Sequence, residues 1–149
     1  MAGDEAGAQS DLSWLLAGLV RKVPHTRSAL LLSSDGIKKA FHGMGVDQAD
    51  QLSAIASGMF SLARSAGVQF GSAGGVRQVV AELDDTLLFV STAGQGAVLA
   101  VAAGREADAG VLGYEMSILV KSVRPYLETP VRRTAAASGS TPPNGELVG

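Results

Sequence analysis

The chain of 149 residues has no cysteine, which excludes disulfides, zinc fingers, thiolate nucleophiles and iron–sulfur ligation. Charged residues make up only 17%, against roughly 25% in a typical domain. Less polar surface is therefore available than a lone globule of this size shows, and a partner is expected to cover some of it. Twelve Lys and Arg against fourteen Asp and Glu leave a net charge of −2. They form no basic stripe, which argues against a nucleic-acid binder. Only His25 and His42 are available as neutral-pH acid–base groups, and neither is spaced from Ser or Asp to build a triad. Acidic residues are dispersed except for Asp84 and Asp85, which read as a turn, so no metal set is gathered. Residues 1–11 carry Asp4, Glu5 and Asp11 without the apolar stretch of a signal peptide. The longest uncharged run, 86–104, is broken at its centre by Gly94, Gln95 and Gly96, and reads as a buried hairpin, not a membrane span.

What is present suits one core, since a chain of about 150 residues buries on the order of 70% of its unfolded surface without a staple. Residues 1–10 and 128–149 are small, polar or proline-containing and are expected to be disordered ends around a domain at 11–127. Leu12, Leu15, Leu16, Leu19 and Val23 recur at helical spacing, predicting a first helix over 11–22 that stops at Pro24. Asp35 and Gly36 between apolar runs at 28–34 and 37–42 predict a hairpin. Leu52, Ile55, Met59, Leu62 and Ala66 step by three and four, predicting a second helix over 47–66 with that stripe on the core. Strands follow at 76–83, 86–93 and 97–103. Ala109, Leu112, Met116, Leu119, Val123 and Tyr126 then predict a last helix behind the N-cap candidate Asp108. The order is α-β-β-α-β-β-β-α. Tight hairpins imply an antiparallel sheet with helices on its faces, an α+β sandwich.

Two surfaces invite association. The strand from Val76, with Arg77, Gln78, Val79, Val80 and Glu82, follows a glycine-rich loop and suits a sheet edge that recruits a second copy. On the second helix, the side opposite Leu52 and Met59 carries Asp47, Asp50, Ala54, Ser57, Ser61, Arg64 and Ser65, with Ala49, Ser53 and Phe60 on a flank. Its small residues would let another backbone approach closely, and Phe60 could anchor that contact. Trp14 points away from the first helix's leucine stripe and is a secondary interface candidate. Gly43 and Gly45 lie between a strand and a helix, where phosphates can bind. The third glycine position holds Gln48 and no Gly-Lys-Ser/Thr occurs, so they read as a flexible connection.

The segments LSWLL (12–16), VP (23–24), ALLLSSDG (29–36), DQLSAI (50–55), VRQVV (76–80), LFV (88–90) with GQGA (94–97), and YEM (114–116) resemble actinobacterial Roadblock/LC7 proteins. The resemblance implies a profilin-like fold with a five-stranded antiparallel sheet, the central helix on one face and the terminal helices on the other. It implies a homodimer in which third strands pair and second helices lie side by side. It further implies a cytoplasmic, non-catalytic regulator of a small Ras-like GTPase, encoded beside a sensor-kinase-like membrane protein whose system can recruit it to the membrane. No cofactor or metal is expected. Arg64 and Arg77 are the residues available as arginine fingers, and both read more simply as surface charges. A small-ligand sensor of profilin-like architecture is the alternative, although its strands offer mainly Leu, Val and Ala to a pocket.

Overall fold

A computed structural model of the chain describes residues 2–139. Its elements run α1 (Ala2–Lys22), β1 (Thr26–Ser33), β2 (Lys38–His42), α2 (Val46–Gln69), β3 (Gln78–Glu82), β4 (Thr86–Gly94), β5 (Ala97–Gly104) and α3 (Ala109–Gly139). The five strands form one antiparallel sheet in the order β2-β1-β5-β4-β3. The expected element order and sheet are the observed ones.

The turns follow from local chemistry. Pro24 cannot continue α1, and His25 takes a left-handed φ of 71° to swing the chain into β1. At the β1–β2 turn Gly36 has φ 93°. The Ser33 hydroxyl donates to the Asp35 carboxylate and accepts the Ile37 N–H at 3.1 Å. Gly94 pairs with Ala97, leaving Gln95 and Gly96 as a two-residue loop with φ 54° and 72°, the left-handed sense that matches strand twist. Gly43 has φ 84°, and a Cβ there would lie 2.4 Å from the Arg27 carbonyl oxygen, so the glycine serves a close backbone approach. Asp108 caps α3, its carboxylate accepting the Val111 N–H at 3.1 Å.

Two apolar layers enclose the sheet. On one face, Leu12, Leu16, Leu19 and Val23 of α1 and Leu112, Met116, Leu119 and Val123 of α3 pack on Leu31, Phe89, Leu99 and Val101. On the other face α2 lies over Leu30, Leu32, Leu88, Val90 and Val98. Helix α2 alone covers one face and the terminal helices the other, as the resemblance implied.

The helix ends differ from the expected bounds. Helix α1 begins at Ala2 and α3 continues to Gly139, so 2–10 and 128–139 are helical where disorder was expected. Met1 and 140–149, the remainder of those expected tails, lie outside the described residues. Once a helix is nucleated on a packed face, each added residue costs little, and the Ala, Glu and Gln of 2–10 and the alanines of 135–137 are good helix formers.

Candidate dimer and partner interface

Helix α2 sits on the sheet by a row different from the one its periodicity suggests. Ala49, Ser53, Ala56 and Phe60 are its buried residues. Leu52 and Met59 are half-buried, whereas Ile55 and Leu62 are 54% and 73% exposed. At 3.6 residues per turn the apolar stripe lies roughly 100° around the helix from the buried row. The expectation that this stripe faces the core is therefore corrected. Small residues beneath α2 let it settle closely on a sheet whose Leu and Val side chains already fill the layer, and the larger apolar residues are turned sideways.

Which side they turn to is fixed by the opposite flank. The Asp50 carboxylate accepts a 2.6 Å hydrogen bond from Lys38 Nζ of β2, and the Ser57 hydroxyl donates to the Ser34 carbonyl at 2.8 Å. That flank is thus fastened to the β1–β2 hairpin. The flank with Leu52, Ile55, Met59 and Leu62 faces toward the β3 edge of the sheet.

The two sheet edges are also unlike. Strand β2 carries Lys38 and Lys39 and is backed by α1, the kind of short charged edge that discourages pairing. Strand β3 hydrogen-bonds β4 on one side, and no strand lies on its other side among the described residues. Val79 and Ala81 turn inward beneath α2, and Val76 packs on the same layer. Gln78, Val80 and Glu82 point to the opposite face, Val80 being 50% exposed. Two arginines hold this edge in place. Arg105 donates to Glu82 Oε2 at 2.9 Å and to the Leu83 carbonyl at 3.0 Å. Arg27 donates to the Asp85 carbonyl and Thr86 Oγ1, each at 2.9 Å. Asp84 and Asp85 form the turn expected of them.

The sequence-predicted interface residues therefore separate. Ser53 and Phe60 are buried under α2 and unavailable to a partner, which corrects their assignment. Asp50 and Ser57 are engaged with the β1–β2 hairpin. Ala54 and Ser61 are exposed, and Arg64 is exposed with its guanidinium 5.3 Å from the Phe60 ring centre. Val76, Arg77, Gln78, Val79, Val80 and Glu82 all belong to the β3 edge or its approach. Trp14, 67% exposed, lines a cleft of about 170 Å³ between α1 and α3 with Gly18, Ile118 and Ser122. Sequence reasoning missed Ile55 and Leu62 as surface residues. The signal was the row Ala49, Ser53, Ala56 and Phe60, which is also helically spaced.

Among the described residues no group of three or more His, Asp or Glu is gathered to hold a metal, and no helix is long and apolar enough to cross a membrane. The Asp35 carboxyl is held below the ordinary carboxylate range by the Ser33 hydroxyl and its own backbone N–H. It belongs to the β1–β2 turn.

These features define a layered α/β sandwich with an apolar helix flank and, among the described residues, an unpaired strand edge on the same side. A family model for the Roadblock/LC7 domain matches residues 12–103. A Roadblock/LC7 domain from Streptomyces avermitilis is 68% identical, with 78% of this chain and 98% of that chain covered and a TM-score of 0.76. The chain belongs to the Roadblock/LC7 domain family. A structure of MglB with a tetrameric arrangement shares the fold at 18% identity and TM-score 0.74, covering 81% of this chain and 90% of that one. A profilin from Acanthamoeba castellanii shares it at 16% identity and TM-score 0.52, covering 77% and 94%, so the architecture is profilin-like. Comparison with the curated proteins finds no match.

Proposed function

We propose that this chain is a non-catalytic homodimeric regulator of a small Ras-like GTPase. The single observation that carries the dimer is the coincidence of two unfinished surfaces: the exposed Ile55 and Leu62 flank of α2 and the unpaired edge of β3 lie side by side. Joining two copies there would continue the sheet across the edges and bring the apolar flanks together. Each exposed Leu or Ile so covered contributes up to about 1.5–3 kcal/mol. The tetrameric arrangement of MglB is an assembly of that protein on the same fold.

Family membership supports the GTPase as partner. The composite surface of two α2 helices and the adjoining loops is where it would dock, with the protein cytoplasmic and brought to the membrane by a sensor-kinase-like component. The Trp14 side, on the other face of the sheet, is a second contact surface. Regulation follows from differential affinity: a partner that binds the GTP and GDP forms unequally shifts their populations, and one that binds them equally shifts nothing. No arginine finger is required of this chain. Arg64 stacks on its own Phe60, and Arg77 immediately precedes β3.

The test is a titration of the full chain with a small Ras-like GTPase from the same organism, loaded first with GDP and then with a GTP analogue. Unequal affinity for the two forms supports the regulator. Absence of binding to both forms overturns it.

A further inference from the structure

The face of the sheet opposite α2 is not completely closed. Helix α3 covers β4 and β5, but between it and β3 a cleft of about 430 Å³ remains. Its floor is Gln78 of β3 beside its register partner Ser91 of β4, and its wall is the 113–124 stretch of α3. Arg77, Lys121 and Arg124 line it, and no Asp or Glu does. None of these three cations makes an ion pair among the described residues. In a chain with a net charge of −2, this concentration of one sign is local.

A second observation separates a built cleft from chance surface charge. Ser91 is only 9% exposed, and it lines the cleft. Its neighbours along β4 on that face, Phe89 and Ala93, are buried apolar residues. A hydroxyl among apolar neighbours at the cleft floor can donate to an acceptor that enters the cleft. The wall spans twelve residues of α3, about 17 Å at 1.5 Å per residue. That length matches about five residues of extended chain and exceeds a single phosphate.

We infer that this cleft binds an extended acidic segment of a partner protein, its carboxylates meeting Arg77, Lys121 and Arg124 and its backbone or side chains meeting Gln78 and Ser91. This site is separate from the α2 surface assigned to the GTPase. Pairing of β3 edges uses backbone groups in the plane of the sheet and leaves the side chains on this face accessible. In a dimer joined at β3 the two clefts flank the symmetry axis, so one segment from each side or one longer segment could occupy them.

The probe is fluorescein-labelled hexaglutamate, titrated into the full chain by anisotropy, with hexaglutamine and inorganic pyrophosphate as comparison ligands. Hexaglutamate is expected to bind, to weaken as salt rises, and to shift the backbone amide signals of Gln78, Ser91 and Ser117. The triple variant Arg77→Gln, Lys121→Gln, Arg124→Gln should lose at least tenfold in affinity. Ser91→Val, which changes no charge, should lose several-fold. Hexaglutamine binding equally, full affinity in the triple variant, or an unchanged Ser91→Val would each overturn the site. So would pyrophosphate shifting the same amides while hexaglutamate does not, which would make it a small-anion pocket.

Discussion

The two faces of the sheet are finished differently. On one, α1 and α3 bring two leucine-rich rows into full burial, Leu16 and Leu112 having no exposed surface. On the other, α2 rests on Ala49, Ser53 and Ala56 and leaves Ile55 and Leu62 outside. The two edges repeat the contrast, β2 with its lysines and β3 with its valines. Apolar spacing announces that a helix will be covered, but it does not say by what. Where the same chain supplies the cover, the residue belongs to the core; where it does not, the residue marks a place for another molecule.

The contrast can be broken at its stronger end first. Leu16→Ala or Leu112→Ala removes a fully buried side chain from the closed face and should cost about 2–5 kcal/mol, read from urea denaturation. An equal loss from Leu62→Ala in protein diluted below its association range would erase the distinction between the faces. There the expected cost is under about 0.5 kcal/mol, that of an exposed position.

Gly43→Ala tests a backbone constraint independent of either face. Its left-handed φ and the 2.4 Å approach of the Arg27 carbonyl should cost about 1–3 kcal/mol, measured in the same denaturation series.

Beneath α2 the expected change has the opposite sign. The Ser53 hydroxyl is buried without a hydrogen-bond partner among the described residues, so Ser53→Ala should raise stability by about 1 kcal/mol while keeping the close approach that a small residue permits. A loss of stability would show that the hydroxyl is satisfied in solution.

The smallest effect belongs to the β1–β2 turn to which the fastened flank of α2 is tied. The Asp35 carboxyl is held below its ordinary acidity constant, so its contribution is present above the unfolded carboxylate value and fades as pH falls through the folded one. Ser33→Ala removes the main donor and should bring the Asp35 titration, followed by NMR, back toward the ordinary range. No movement of that titration would remove the hydroxyl's role.

Much of this was legible in the sequence. Leu12, Leu16, Leu19 and Val23 announced α1, Asp35 and Gly36 the first hairpin, Gly94 to Gly96 the second, and Asp108 the cap of α3. The edge character of β3 followed from the loop before it and its mixture of valines and polar residues. The orientation of α2 did not follow, because Leu52, Ile55, Met59 and Leu62 and the row Ala49, Ser53, Ala56 and Phe60 are both helically spaced. Choosing between them requires knowing that the sheet beneath already supplies Leu30, Leu32, Val90 and Val98. The basic cleft was hidden for a different reason: Arg77, Ser91 and Lys121 are far apart in the chain and meet only when β3, β4 and α3 are assembled.

Sedimentation equilibrium of the wild-type chain beside Ile55→Glu, Leu62→Glu, with far-UV circular dichroism to confirm an unchanged fold, bears most directly on the uncovered flank. A concentration-dependent dimer in the wild type, weakened at least tenfold in the double variant, is the predicted result. A wild type that stays a monomer at every concentration, or a double variant that dimerises as well as the parent, would contradict it.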